Sequence, residues 1–217
     1  MMKKILVAGA TGLIGNTVID RLIANGDVTP IALTRRQLKK DARLEQWIST
    51  ENDLLSALRT QQVDAVICCL GTTIKKAGSR KAFRHVDHDL VIGIGNWAKI
   101  NGVRTFCVVS AIGADAGSKI FYNKVKGEME RDLKAIGLPV VHIFHPSILT
   151  GPRQEVRIGE RIGIVVMGLI SPLLIGPLER YRSMPHDMLA TALINATDLP
   201  HGGTYSYEAI GKIALRK

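Results

Sequence analysis

"KKILVAGATGLIGNTVIDRLIAN", residues 3–25, changes its period halfway along. Its first third is a short apolar run with two lysines ahead of it, the pattern of a buried strand. Its second half repeats apolar residues at helical spacing. Between them Gly9, Gly12 and Gly15 form a G-x-x-G-x-x-G that also spans Ala10, Thr11, Leu13 and Ile14. Glycine is needed there for a tight turn and for close approach of backbone N–H groups to a pyrophosphate, which gains further from the helix N-terminus. The strand before and the amphipathic helix after make the motif a specific signal for a dinucleotide.

The same alternation continues to about Phe144. Strands are expected at "KKILVA", "TPIALT", "EQWIS", "DAVICCL", "RTFCVVS" and "PVVHIF". Helices fit "LIGNTVIDRLIAN", "DLLSALRT", "FRHVDHDLVIGIGNWAKI" and the segment from Tyr122. Such alternation predicts an α/β fold, a doubly wound parallel sheet with helices on both faces. Ligands then collect at the carboxyl ends of the strands, where the chain carries "GATGLIG", "TRR", "GTT", "SAIG" and "HPSILTGPR". After the sixth strand a helix "PHDMLATALINA" and a closing strand "GTYSY" are expected.

The second of these strand ends discriminates between nicotinamide cofactors. An acidic residue there binds ribose hydroxyls, and an arginine accommodates a 2′-phosphate. Thr34, Arg35 and Arg36 occupy it without an acid. NADP(H) follows, with Arg35 the preferred clamp and Arg36 second, because a guanidinium matches phosphate with a two-pronged donor set.

A net charge of +10 favours anionic partners, including an anionic small-molecule substrate. Nucleic acid is a poor fit, since aromatic residues make up 5% of the chain and no base-stacking pattern accompanies "TRRQLKK" or "TTIKKAGSRKAFRH". Cys68, Cys69 and Cys107 lie in apolar strand-like runs and read as reduced thiols. The histidine spacing closes no zinc site with them, and no metal is expected. The opening "MMKKILVAGATG" is too short in its apolar run for a signal peptide and points to a cytoplasmic protein. The longest uncharged stretch, Ile162–Leu178, contains glycines and prolines and falls short of a membrane span. One domain over 1–217 is expected, with 150–200 as a small substrate-side extension and the apolar stretch as a pocket wall; oligomeric state stays open.

"FYNKVKGEME", residues 121–130, carries the chemistry. At about 100° per residue, Val125, Lys126, Met129, Leu133 and Ile136 lie within roughly 60° of Tyr122 on a helical wheel. Lys124 with Glu128 and Lys126 with Glu130 also have the spacing of surface ion pairs. Yet Lys126 sits inside the apolar stripe, where a lysine needs a partner or a cavity. Ser110 closes the fifth strand, beside the start of this helix in a doubly wound sheet. Tyr122 can then donate a proton to a carbonyl that Ser110 polarises, while Lys126 favours the phenolate and holds the nicotinamide ribose.

These motifs resemble the short-chain dehydrogenase/reductase superfamily, with its Tyr-x-x-x-Lys and upstream Ser. "CCLGTTIKKAGS", "HVDHDLV", "YNKVKGEME" and "HPSILTGPR" are similar to its atypical branch of Tat-interacting-protein-like oxidoreductases. The resemblance implies a Rossmann fold with bound NADPH, and places Leu70, Gly71, Thr72, Pro146, Ser147, Ile148 and Leu149 around the cofactor. The family's adenine-contacting stretch is matched poorly by "STENDLL", so Asp53 carries over weakly. The superfamily's nucleotide-sugar epimerases have a large C-terminal lobe, which the residues left after the sixth strand are not expected to build. A small carbonyl or quinone-like substrate is therefore expected. Two readings remain: a reductase using Tyr122, Lys126 and Ser110, and a cofactor-binding regulator acting through protein contacts. Keeping all three residues favours the first.

Overall fold

The computed structural model describes residues 2–49, 53–151 and 182–216. Among them seven strands form one parallel sheet: β1 (Lys3–Ala8), β2 (Val28–Thr34), β3 (Glu45–Ile48), β4 (Ala65–Cys68), β5 (Thr105–Val109), β6 (Val140–Phe144) and β9 (Gly203–Tyr205). Their order is β3-β2-β1-β4-β5-β6-β9, with β7 (Leu149–Thr150) and β8 (Met184–Pro185) as a separate parallel pair. The chain winds outward from β1 to β3, then returns to place β4 on the other side of β1. That reversal is the switch point at which a doubly wound sheet opens a crevice.

Both faces of the sheet are covered, which is why its strands read as near-continuous apolar runs. Ile5 and Val7 of β1 point to one face, where they meet Val18, Ile19 and Leu22 of α1 (Leu13–Asn25) and Leu189 and Leu193 of α6 (His186–Ala196). Leu6 and Ala8 point to the other, among Val91 and Ile94 of α4 (Leu90–Ile100) and Met129 and Leu133 of α5 (Phe121–Ala135). Helix α6 lies on α1 and on α7 (Tyr207–Ala214), so the chain's last described elements complete the first layer.

Most expected elements fall within a residue or two of their places. "DLLSALRT" differs: only Leu54–Ala57 turn, as a single 3₁₀ turn capped by the Asp53 carboxylate on the Leu55 N–H. A segment this short holds its shape by burying Leu54 and Ala57, not by propensity. The helix expected from Phe83 starts earlier, at α3 (Arg80–Arg84), preceded by the one-turn α2 (Ile74–Ala77), and it joins α4 through a π-helical turn at His85–Asp89. Helix α7 has no counterpart in the expected elements. The apolar stretch Ile162–Leu178 lies outside the described residues.

Burial holds the three cysteines as thiols, pushing Cys68 up to about 11 and Cys107 further. His142 of β6 is fully buried; its Nδ1 lies 2.9 Å from the Tyr205 hydroxyl, and its Nε2 has no hydrogen-bond partner among the described residues. Burial drives its pKa from 6.5 down to about 4. The ring is neutral in the folded chain, so its contribution is complete above about pH 6.5 and is lost as pH falls toward 4, where the unfolded chain takes up the proton first. The loss amounts to about 3 kcal/mol. Urea unfolding of the wild type between pH 7 and pH 4 is expected to show it as an excess over His142→Phe, which keeps the ring stack on Tyr205 and cannot titrate.

Candidate active site

Three strand ends meet around the switch point. Gly9, directly after β1, has φ +83°, and a Cβ there would lie 2.6 Å from the Cys69 carbonyl oxygen after β4. A Cβ on Gly15 would lie 2.3 Å from the Gly9 carbonyl oxygen. The first glycine thus lets two loops touch, and the third lets α1 start against the turn. Gly12 is the N-cap residue, its N–H donating to the Gly9 carbonyl at 2.9 Å, and Leu13, Ile14 and Gly15 follow without an acidic side chain. Thr11 and Gly12 are exposed, Leu13 is half-buried, and Ala10, Ile14 and Gly15 are buried. Backbone N–H groups at a helix N-terminus with no anion of their own fit a pyrophosphate.

At the end of β2, Thr34 is buried and its hydroxyl shapes the turn, donating to the Arg36 carbonyl at 2.9 Å and accepting from the Arg36 N–H at 3.3 Å. Arg35 and Arg36 are exposed on that turn. After β4, Leu70 packs against the core on the α4 and α5 face of the sheet, and Gly71 is open to solvent. After β6, Pro146 is buried, Ser147 donates to the Arg182 carbonyl, and Ile148 and Leu149 run beside Met184.

Helix α5 supplies the polar centre. Val125, Lys126, Met129 and Leu133 are buried, as the wheel requires. Lys126 does not extend to Glu130, the surface pairing its spacing allowed. Its Nζ lies 2.8 Å from Oδ1 of Asp87, and both side chains are almost fully buried. The other carboxylate oxygen of Asp87 accepts from the Thr72 N–H at 2.9 Å. A Cβ on Gly71 would come to 3.5 Å from Oδ1 and 3.8 Å from Nζ, so the loop after β4 lies over this ion pair. Burial disfavours the Lys126 ammonium, but the Asp87 carboxylate and, when ionised, the Tyr122 phenolate outweigh it and leave its pKa raised. Tyr122 itself is half-buried, its ring 5.5 Å from that of Phe83.

Asp87 is one residue that sequence reasoning missed. On a wheel it lies near Phe83, Leu90 and Ile94, an acid within an apolar stripe, the signal that had singled out Lys126. It sits in the π-helical turn, where an added residue re-aims side chains.

Glu130 was missed as well. It is buried one turn beyond Lys126, where its Oε1 accepts from the Ser110 hydroxyl and lies 2.8 Å from Nε2 of His145. Ser110's proton is therefore directed at a carboxylate in this state. Gly127 lies off the apolar stripe of the helical wheel, yet it is buried. A Cβ there would lie 2.1 Å from the Ala116 N, because the loop from Ser110 to α5 packs onto the helix at this point.

A family model described as "NAD(P)H-binding" matches residues 9–171. The chain is similar to "Protein FMP52, mitochondrial" of Eremothecium gossypii, 37% identical over 151 residues, covering 69% of this chain and 67% of that protein. It is similar also to "Protein HTATIP2" of Rattus norvegicus, 30% identical over 165 residues, covering 73% of this chain and 67% of the relative. Among solved structures, the Bordetella bronchiseptica enzyme WbmH in complex with NAD+ superposes with a TM-score of 0.70, covering 95% of this chain and 76% of that one. At 18% identity this likeness shows the Rossmann-type fold alone.

Proposed function

Because the chain belongs to the NAD(P)H-binding, atypical short-chain dehydrogenase/reductase family, we propose that it is an NADPH-dependent reductase of a small carbonyl or quinone-like compound. One observation carries the reading: Tyr122 and Lys126 stand together on α5, with Lys126 buried, charged and fixed by Asp87 beneath the loop that follows β4.

The nicotinamide, when bound, supplies a hydride to the carbonyl carbon. Gly9, Gly12 and Gly15, with the backbone of Ala10 to Ile14, hold the pyrophosphate. Arg35 and Arg36 take the 2′-phosphate. Leu70, Gly71, Thr72 and the stretch Pro146–Leu149 line the remainder of the cofactor site. Tyr122 gives its hydroxyl proton to the carbonyl oxygen. The Lys126 ammonium stabilises the phenolate left behind and donates a second N–H to the ribose. Asp87 holds Lys126 in place and supplies the countercharge that makes a buried ammonium tolerable. Ser110 steadies the substrate oxygen from the end of β5.

The domain is read as single over 1–217, with the substrate covered from the side of residues 150–200. Among the described residues no helix is long and apolar enough to cross a membrane. A regulator that only senses the cofactor has no chemical need of Ser110, Tyr122 and Lys126 together, which favours the enzyme.

The test is NADPH and NADH oxidation by the purified protein across aldehydes, ketones and quinones. NADPH is expected to be preferred. Arg35→Ala is expected to cut that preference by about 10- to 100-fold, the worth of a charge-assisted bond to phosphate. Binding of NADPH without oxidation by any member would move the assignment to the regulator.

A further inference from the structure

Lys126 and Asp87 account for one of the two buried electrostatic groups on α5. The second is Ser110–Glu130–His145, of which only Ser110 has a part in the chemistry above. Exposure rises along it: Ser110 is buried, the Glu130 side chain is 10% exposed and that of His145 is 21% exposed. One carboxylate oxygen, Oε1 of Glu130, serves both neighbours. Both ends are pinned by backbone bonds, Ser110 N–H to the Phe144 carbonyl at 2.8 Å and His145 N–H to the Tyr205 carbonyl at 2.9 Å. The result is a continuous hydrogen-bonded path from the end of β5 to a histidine that reaches solvent.

We propose that Ser110, Glu130 and His145 form a proton relay that returns to Tyr122 the proton it gives to each product. The proposal rests on the reductase reading. A serine hydroxyl has one proton, so Ser110 can pass it inward only as another arrives from behind. After reduction the Tyr122 O–H bond is broken and a phenolate remains. His145, as imidazolium, gives its proton to the Glu130 carboxylate, Glu130 passes a proton to the Ser110 oxygen, and the Ser110 hydroxyl proton moves to the Tyr122 oxygen. His145 then reloads from water. One proton passes from solvent to product in each cycle, matching the single hydride. Histidine suits the outer position because it exchanges protons near neutral pH. Among the described residues, the titratable groups beside the path include Lys126, one turn earlier on α5 and paired to Asp87, and Tyr205 on β9. Glu130 and His145 act through Ser110.

The test uses His145→Arg, which places opposite Glu130 a cation that does not release a proton. With NADPH and 9,10-phenanthrenequinone as the probe carbonyl, kcat is expected to fall by at least about tenfold between pH 7 and pH 8. NADPH affinity should hold, and added imidazole should restore part of the rate. An unchanged kcat and pH profile in a folded His145→Arg protein would overturn the relay. A second measurement needs no turnover: the titration of His145 followed by ¹⁵N NMR in wild type and Ser110→Ala. The relay requires its midpoint to move by about half a pH unit or more when the hydroxyl is removed. No movement would overturn the relay. A wild type that leaves the quinone untouched counts against the reductase reading and leaves the NMR result to decide the relay.

Discussion

Tyr122→Phe is expected to bind NADPH as tightly as the wild type and to reduce carbonyl compounds at least a hundredfold more slowly. The ring itself is a packing element: it is half-buried and lies 5.5 Å from Phe83, and phenylalanine preserves that contact. The Lys126–Asp87 pair also survives, since neither group depends on the hydroxyl for its partner. What disappears is the proton donor, and positioned acid catalysis is worth roughly 10²- to 10⁴-fold. Parallel calorimetry for NADPH and steady-state rates on the same preparation separate the two effects. A Phe variant reducing its substrate at the wild-type rate would remove Tyr122 from the mechanism.

Asp87→Asn is expected to be the most destabilising conservative change at the site. It leaves the Lys126 ammonium buried with no countercharge. Breaking a buried pair from one side costs about 3–5 kcal/mol, which for a chain of this size lowers Tm by about 10 °C. Turnover should fall as well, because an unanchored Lys126 no longer holds its charge beside the Tyr122 phenolate. The double variant Asp87→Leu/Lys126→Met distinguishes the two roles. An apolar pair of similar volume should recover much of the Tm, since burying both charges is itself costly, while activity stays lost. If Asp87→Asn melts with the wild type, the ion pair does not hold the site as described.

The fold was legible because its deciding signals are local. The turn between β1 and α1 needs glycine within seven residues of sequence, and α1 occupies Leu13–Asn25, the span expected of it. Lys126 was legible as buried because a charge within an apolar stripe contradicts its surroundings. Its partner was not, because Asp87 lies on another helix and the π-helical turn sets its aim. The four-apart spacing of Lys126 and Glu130 misled for a related reason. Spacing predicts which side chains share a helix face, and burial decides which of them find partners elsewhere. Here the β5 and β6 strand ends supply Ser110 and His145 to Glu130, and no period within α5 records that. Gly127 shows the same limit: a glycine in mid-helix reads as a weak point, whereas it admits the backbone of Asp115 and Ala116. The short turn at Leu54–Ala57 was overread as a helix because its apolar residues satisfy tertiary contacts and not a helical face.

The most direct test of the central claim is isotopic. The protein is incubated with NADPH deuterated at C4 on the transferring face and with each carbonyl of the panel, and the products are analysed by mass spectrometry. The account predicts one deuterium on the former carbonyl carbon of at least one product, formed by the wild type and nearly absent with Tyr122→Phe. Saturating NADPH binding with no deuterium transferred to any carbonyl would contradict it.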